Sequence, residues 1–275
     1  MKRRFAQVDV FTTVALGGNP LAVVIDADGL DAESMQAFAQ WTNLSETTFV
    51  LPPSTPEADY RVRIFTPSEE LPFAGHPTLG TCAAWLATGG APQRDDVLQE
   101  CGVGLVPIRR ANDRLAFRAP PLIRSGPVDA QLIASIAHAL DTPVIDASWA
   151  DNGPGWVAVE VRDVATLLAL RPKFDDLPDI KLGVIARCDG GDDATIEVRA
   201  FYPSSGTHGE DPVTGSLNAS VAQWLMRRDP TTTSYVARQG TVLGRQGRVY
   251  VDRDDAGDIW IGGLVMPVID GVVDL

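Results

Sequence analysis

Cysteine is scarce in this chain. Cys82, Cys101 and Cys188 are the three it has, an odd number with no Cys-x-x-Cys among them. Count and spacing together exclude a disulfide framework and a zinc knuckle. Positive charge is also short: 23 Lys+Arg stand against 36 Asp+Glu, for a net charge of −13. A field of that sign repels phosphate backbones and argues against a nucleic-acid or anionic-membrane partner. No apolar run approaches the ~18 residues of a membrane span. Behind Lys2-Arg3-Arg4, Asp9 interrupts the sequence before the apolar stretch of a secretion signal forms. A GxGxxG loop, a P-loop and a clustered metal-ligand set are missing too. These gaps lead to the expectation of a cytoplasmic protein with no metal and no cofactor.

What is present reads as globular. The chain has 275 residues, 45% apolar and 21% charged, which rules out disorder and fibrous repeats. That length sits above the size at which one core usually stops growing, so two lobes are expected. Strand-like runs cover 5–11, 21–25, 47–51, 60–65, 103–108 and 114–117, with a helix behind Asp31 and a small-residue helix over 77–87. Pro120-Pro121 and Ser125-Gly126-Pro127 then break the chain. The boundary falls there, giving lobes 1–122 and 123–275, with the last strand free to pack back on the first lobe.

After the break the order of elements recurs, with strands at 156–161, 182–186 and 195–201 and a small-residue helix over 212–225. The recurrence reaches individual residues. Arg63-Ile64-Phe65-Thr66-Pro67-Ser68 is matched by Arg199-Ala200-Phe201-Tyr202-Pro203-Ser204, 136 positions on. His76-Pro77-Thr78-Leu79-Gly80-Thr81 is matched by Asp211-Pro212-Val213-Thr214-Gly215-Ser216, 135 positions on, and Asn19-Pro20 by Gly153-Pro154, 134 on. Offsets this constant argue for one α/β unit written twice.

In both copies a helix is expected to open with X-Pro-x-x-Gly-(Thr/Ser). Proline suits a first turn because its missing N–H would be an orphan there. Gly80 and Gly215, without a Cβ, would let a ligand or another backbone come close. Free N–H groups and the positive end of the helix dipole can bind a carboxylate without a lysine. Asp211 before Pro212 also has a plain structural reading as a helix N-cap. Histidine caps poorly, so His76 asks for another explanation. Beside a helix N-terminus its imidazole should be neutral and able to give or take a proton. Glu46 lies ahead of the apolar Phe49-Val50-Leu51 among the neutral Ser45, Thr47 and Thr48. A glutamate in such a place is ordinarily exposed; packed on an apolar wall it becomes a base near neutral pH.

Four segments resemble the phenazine-biosynthesis isomerase-like (PhzF-like) family. They are Asp9-Val10-Phe11 through Gly17-Gly18-Asn19-Pro20-Leu21-Ala22-Val23-Val24, Leu44-Ser45-Glu46-Thr47-Thr48-Phe49, Leu71-Pro72-Phe73-Ala74-Gly75-His76-Pro77-Thr78-Leu79-Gly80, and Gly209-Glu210-Asp211-Pro212-Val213-Thr214-Gly215-Ser216. A looser fifth match runs from Gln239-Gly240 to Gly244-Arg245. The resemblance implies a diaminopimelate-epimerase-like α/β (α+β) fold: two similar pseudo-symmetric lobes, each a curved, mostly antiparallel sheet around a central helix. It implies an active site in the cleft between lobes, a homodimer, and a cofactor-independent isomerase acting on a small carboxylate. Glu46 would take a proton from one carbon and return it to another. His76, Asp211 and Ser216 would polarise the substrate and relay or hold the reacting group. Asn19 and the amides near Gly75 and Gly215 would bind it, the amides at its carboxylate.

The related epimerases use a cysteine from each lobe as opposed acid and base. The matched positions here hold His76 and Asp211, and Cys82, beyond Thr81, reads as a small core residue. A two-thiol racemase is therefore disfavoured. An epimerase using other bases and a non-catalytic ligand- or protein-binding member of the fold stay as alternatives. Residues 205–209 read as a flexible loop beside the cleft that sets substrate choice, with His208 solvated, and His138 reads as structural.

Overall fold

The computed structural model describes every residue except 112, 175–176, 178–179 and 205–206, and the side chains of 204, 207 and 208. Contacts divide the chain into two compact units: Met1–Arg118 with Gly262–Leu275, and Ala119–Ile261.

The first unit begins β1 (Lys2–Val10), β2 (Asn19–Val24), α1 (Ala32–Thr42), β3 (Glu46–Leu51), β4 (Tyr60–Phe65) and β5 (Glu70–Leu71). It continues α2 (Gly75–Ala87), β6 (Val97–Cys101), β7 (Gly104–Ala111) and β8 (Arg114–Arg118). β2 runs antiparallel to β1 and parallel to β3; β4 is antiparallel to β3 and β5 and parallel to β6; β7 is antiparallel to β6 and β8. Helix α1 starts where the Asp31 carboxylate accepts the Ser34 N–H at 2.7 Å, and stops at Asn43 in the left-handed region. Its inward residues Met35, Phe38 and Ala39 join Phe49 and Phe65 in one aromatic-rich core.

The second unit comprises β9 (Arg124–Gly126), α3 (Ala130–Leu140), β10 (Asp146–Asp151), β11 (Trp156–Glu160), α4 (Val164–Ala169) and β12 (Lys181–Arg187). Then come β13 (Ile196–Ser204), β14 (Thr207–Asp211), α5 (Gly215–Arg228), β15 (Ser234–Gln239) and β16 (Gly247–Arg253), and β17 (Ile259–Gly263) spans the boundary after Ile261. The pairing repeats that of the first unit: β11 is antiparallel to β10 and parallel to β12, and β13 is antiparallel to β12 and β14 and parallel to β15. The chain closes with β18 (Val265–Asp274), antiparallel on β1. No helix among the described residues is long and apolar enough to cross a membrane.

Each unit packs its strands against one buried helix. α2 lies against β1, β2, β3 and β8, and α5 against β10, β11 and β16. A helix enclosed on all sides needs small residues, and Gly80 shows why. A Cβ there would stand 2.6 Å from Leu21 Cδ2 and 2.9 Å from Val10 Cγ2. Gly80 therefore serves helix-on-sheet packing, not the approach of a ligand.

Other local expectations are also corrected. α5 opens at Gly215 with Thr214 as N-cap, so Pro212 precedes the helix and Asp211 ends β14 and is not the N-cap residue. The expected loop is a hairpin, β13 turning into β14; its tip at 205–206 and the His208 side chain lie outside the described residues. β6 is a strand where the sequence reading placed none. His138 lies exposed in the last turn of α3.

Candidate active site

Parallel pairing of β2 with β3 sets Leu21 opposite Glu46, so Asn19 and Glu46 both sit where their strands begin. α2 brings its second residue, His76, to the same place. Nε2 of His76 is 3.5 Å from Oε2 of Glu46, with both side chains largely buried. Threonines fix this arrangement. Thr47 shares a 2.9 Å hydrogen bond with Thr42 at the end of α1, and Thr81 of α2 donates to Thr48 at 2.8 Å. The start of β3 is thus tied to both helices, and Glu46 with it.

Burial drives the His76 pKa down from 6.5 to about 3, against an opposing hydrogen bond to the Pro20 backbone. At neutral pH the ring is uncharged, with one N–H and one lone pair. The Asn19 side-chain amide lies 3.4 Å from Nδ1. The Pro20 carbonyl can only accept, so the ring N–H is spent on it, while Nε2, without a hydrogen-bond partner, faces Glu46. A largely buried carboxylate beside a neutral imidazole can take a proton from carbon.

In the second unit Ser216 is the second residue of α5. Its hydroxyl accepts the Trp156 indole N–H at 3.1 Å, and its carbonyl accepts from the Asn152 side chain at 3.0 Å. With the indole on one lone pair, the O–H is the group Ser216 offers to a substrate oxygen. Asp211 accepts the Thr214 hydroxyl at 2.5 Å. Neither Ala74 nor Thr214 caps its helix with a side chain, so the N-cap side chains take none of the first-turn N–H groups of α2 and α5.

The structure brings Asn19, Glu46, His76 and Gly75 together in the first unit, and sets Asp211, Gly215 and Ser216 along one β14–α5 connection in the second. It also revises the repeat. Gly75 and Gly215 are the first residues of their helices, so His76 corresponds to Ser216 and not to Asp211. The position matching Glu46 is Lys181, which opens β12 opposite Trp156 as Glu46 opens β3 opposite Leu21. Cys82 is fully buried, and burial pushes its thiol up to about 12. Sequence reasoning missed Asn152, Trp156, Thr78 and the buried glutamines Gln99 and Gln239. No local pattern marks Gln99, whose neighbours on β6 include Glu100. Among the described residues no group of three His, Cys, Asp or Glu side chains gathers to hold a metal ion.

A family model described as phenazine biosynthesis-like protein matches residues 8–270. The chain belongs to that family. Among PhzF-like relatives, trans-2,3-dihydro-3-hydroxyanthranilate isomerase of Pseudomonas aeruginosa is 36% identical over 93% of this chain and 92% of its own. Antisense-enhancing sequence 1 of Schizosaccharomyces pombe is 35% identical over 97% of each chain. The crystal structure of a PhzF-family phenazine biosynthesis protein from Bacillus anthracis superposes with a TM-score of 0.86, at 25% identity and complete coverage of both chains. Solved epimerase and racemase structures share the fold at lower identity. By family this PhzF-like chain is an enzyme of the isomerase class.

Proposed function

We propose that this protein is a cofactor-independent isomerase that moves a proton between two carbons of a small carboxylic acid. Glu46 takes the proton from one carbon and returns it to another, so nothing is oxidised and no group is lost. His76, beside the Glu46 carboxylate, polarises the substrate. Asp211 and Ser216 polarise the same substrate from the second unit, while Asn19 and the amides of Gly75 and Gly215 bind it. The observation that carries this reading is the Glu46–His76 pair, 3.5 Å apart and mostly buried, with the imidazole held neutral. Lys181 at the position matching Glu46 supports transfer by a single carboxylate over a symmetric two-base epimerase.

The test is incubation with a panel of unsaturated and amino acids in D2O, beginning with the substrate named for the Pseudomonas relative. Deuterium should enter a carbon position in wild type and not in Glu46→Gln. Uptake unchanged in that variant removes Glu46 from the mechanism. A binding protein on the same scaffold is the second reading, favoured by the S. pombe relative, whose name is not that of an enzyme. No exchange on any acid in the panel would select it. The proposal includes a homodimer, which sedimentation at working concentration decides.

A further inference from the structure

Both units bury a glutamine completely, Gln99 at 0% exposure on β6 and Gln239 at 0% on β15. Each strand is the parallel neighbour of the one before its central helix: Tyr60 pairs with Gln99, and Val198 with Gln239. Gln99 accepts the Tyr60 hydroxyl at 2.9 Å and donates to Thr78 Oγ1 at 3.1 Å. Thr78 in turn donates to the carbonyl of Ala74, the N-cap of α2, at 2.9 Å. Gln239 accepts the Thr214 N–H at 3.0 Å and the Asn218 side chain at 2.9 Å, and donates to Thr214 Oγ1 and the Asp211 carbonyl. Asn218 also donates to the carbonyl of Thr214, the N-cap of α5. N-cap, fourth helical residue and glutamine lie 140 positions apart in the two units (74 and 214, 78 and 218, 99 and 239).

Two unlike sets of hydrogen bonds thus meet the same need at the same places. An ordinary N-cap side chain steadies a first turn by taking the N–H of its second or third residue. That would fill the donors a carboxylate substrate needs. These glutamines grip the turn from behind, through the N-cap and the fourth residue, and take no N–H of the first helical turn.

We propose that Gln99 and Gln239 are a duplicated pair of positioning residues, each bracing the uncapped first turn that carries a site group, His76 on α2 and Ser216 on α5. The catalytic part of this inference rests on the proton-shift reading above. The bracing itself does not.

The experiment compares Gln99→Leu, Thr78→Val and Thr78→Ser with wild type by amide hydrogen exchange and by steady-state turnover of trans-2,3-dihydro-3-hydroxyanthranilate. Thr78→Val keeps the shape and so serves if Gln99→Leu fails to fold. Exchange at the Thr78 and Leu79 amides should quicken by about tenfold in Gln99→Leu and Thr78→Val, while α1 exchange holds. Their kcat should fall about tenfold to a hundredfold with KM nearly constant, because His76 is misplaced while binding groups remain. Thr78→Ser, which keeps the hydroxyl, should restore both. Gln239→Leu should give the same pattern at Asn218. Wild-type exchange in the folded variants overturns the brace, and quickened exchange with unchanged kcat overturns its positioning role. If wild type turns over no acid, it is the proton-shift reading that fails, and exchange alone supports or overturns the brace.

Discussion

Ser216 stands in α5 where His76 stands in α2: each is the second residue of its buried helix, and each meets a side chain from the neighbouring strand region. Asn19 meets the His76 ring, and Trp156 meets the Ser216 hydroxyl. Duplication has therefore preserved a location and let its chemistry diverge, from a neutral imidazole to an oriented hydroxyl. Glu46 and Lys181 diverge in the same way. Under the proposed mechanism Glu46 is the one base, and the consequences can be measured.

Removing that base is the first. Glu46→Gln keeps the volume and the hydrogen-bonding outline but cannot accept a proton from carbon. General acid–base groups contribute roughly 10²–10⁴-fold, so turnover should fall by about that factor. Thermal stability should barely move, since Thr47 and Thr48 still anchor the strand. Stopped-assay NMR in D2O gives the rate, and a melting curve gives the control.

His76 makes stability depend on pH. Its folded pKa is depressed to about 3 from an ordinary 6.5. Between those values the unfolded chain binds a proton that the native protein does not. Stability is therefore complete above about pH 6.5 and is lost as pH falls toward 3, at a slope approaching ~1.4 kcal/mol per pH unit. Urea midpoints for wild type and His76→Gln at pH 7.5 and pH 5 should show a smaller loss in the variant. Parallel losses would show that other groups dominate.

Gly80→Ala tests what the helix glycine does. Alanine favours a helix by about 1 kcal/mol over glycine, but the added Cβ meets Leu21 and Val10, both fully buried. Overpacking of that kind costs typically ~1–3 kcal/mol, so the variant should be less stable by about 1 kcal/mol. A raised melting temperature would mean that the sheet gives way, and that packing does not demand the glycine.

The extent to which the sequence was readable follows from how each feature is encoded. The Arg63 and Arg199 segments were visible as copies because Arg63–Phe65 and Arg199–Phe201 lie in matching strands and make the same contacts in both units. The helix starts misled, because His76-Pro77 and Asp211-Pro212 look alike while their backbones differ. β5 has two residues and β14 has five, which carries Pro212 out of the helix and Asp211 into a strand. Glu46 was legible as a candidate from its neutral neighbours and took its priority from the resemblance, since its burial depends on α1 and α2 packing on β3. Gln99 is encoded by a contact between residues 21 positions apart, which periodicity does not report.

The copied arginines give the sharpest contrast. Arg63 on β4 makes a two-pronged bond to Glu70 at 2.7 and 2.6 Å, and Arg199 on β13 makes the same bond to Glu210 at 2.9 and 2.7 Å. Each guanidinium also lies over the phenylalanine two residues on, Phe65 and Phe201. Only the surroundings differ: side-chain exposure is 28% and 41% in the first pair and 4% and 12% in the second. Arg199 further donates to the Leu167 and Leu170 carbonyls, so its removal leaves those acceptors and a buried carboxylate without it. An exposed pair is worth about 0–1 kcal/mol, whereas breaking a buried one costs roughly 3–5 kcal/mol. Arg63→Met should therefore shift the denaturation midpoint slightly and Arg199→Met severely, although the two bonds are drawn alike. Equal losses would mean that bond geometry, and not burial, sets the value of the pair. Because Glu210 precedes Asp211, the Arg199 variant should also lose turnover, while Arg63→Met keeps it.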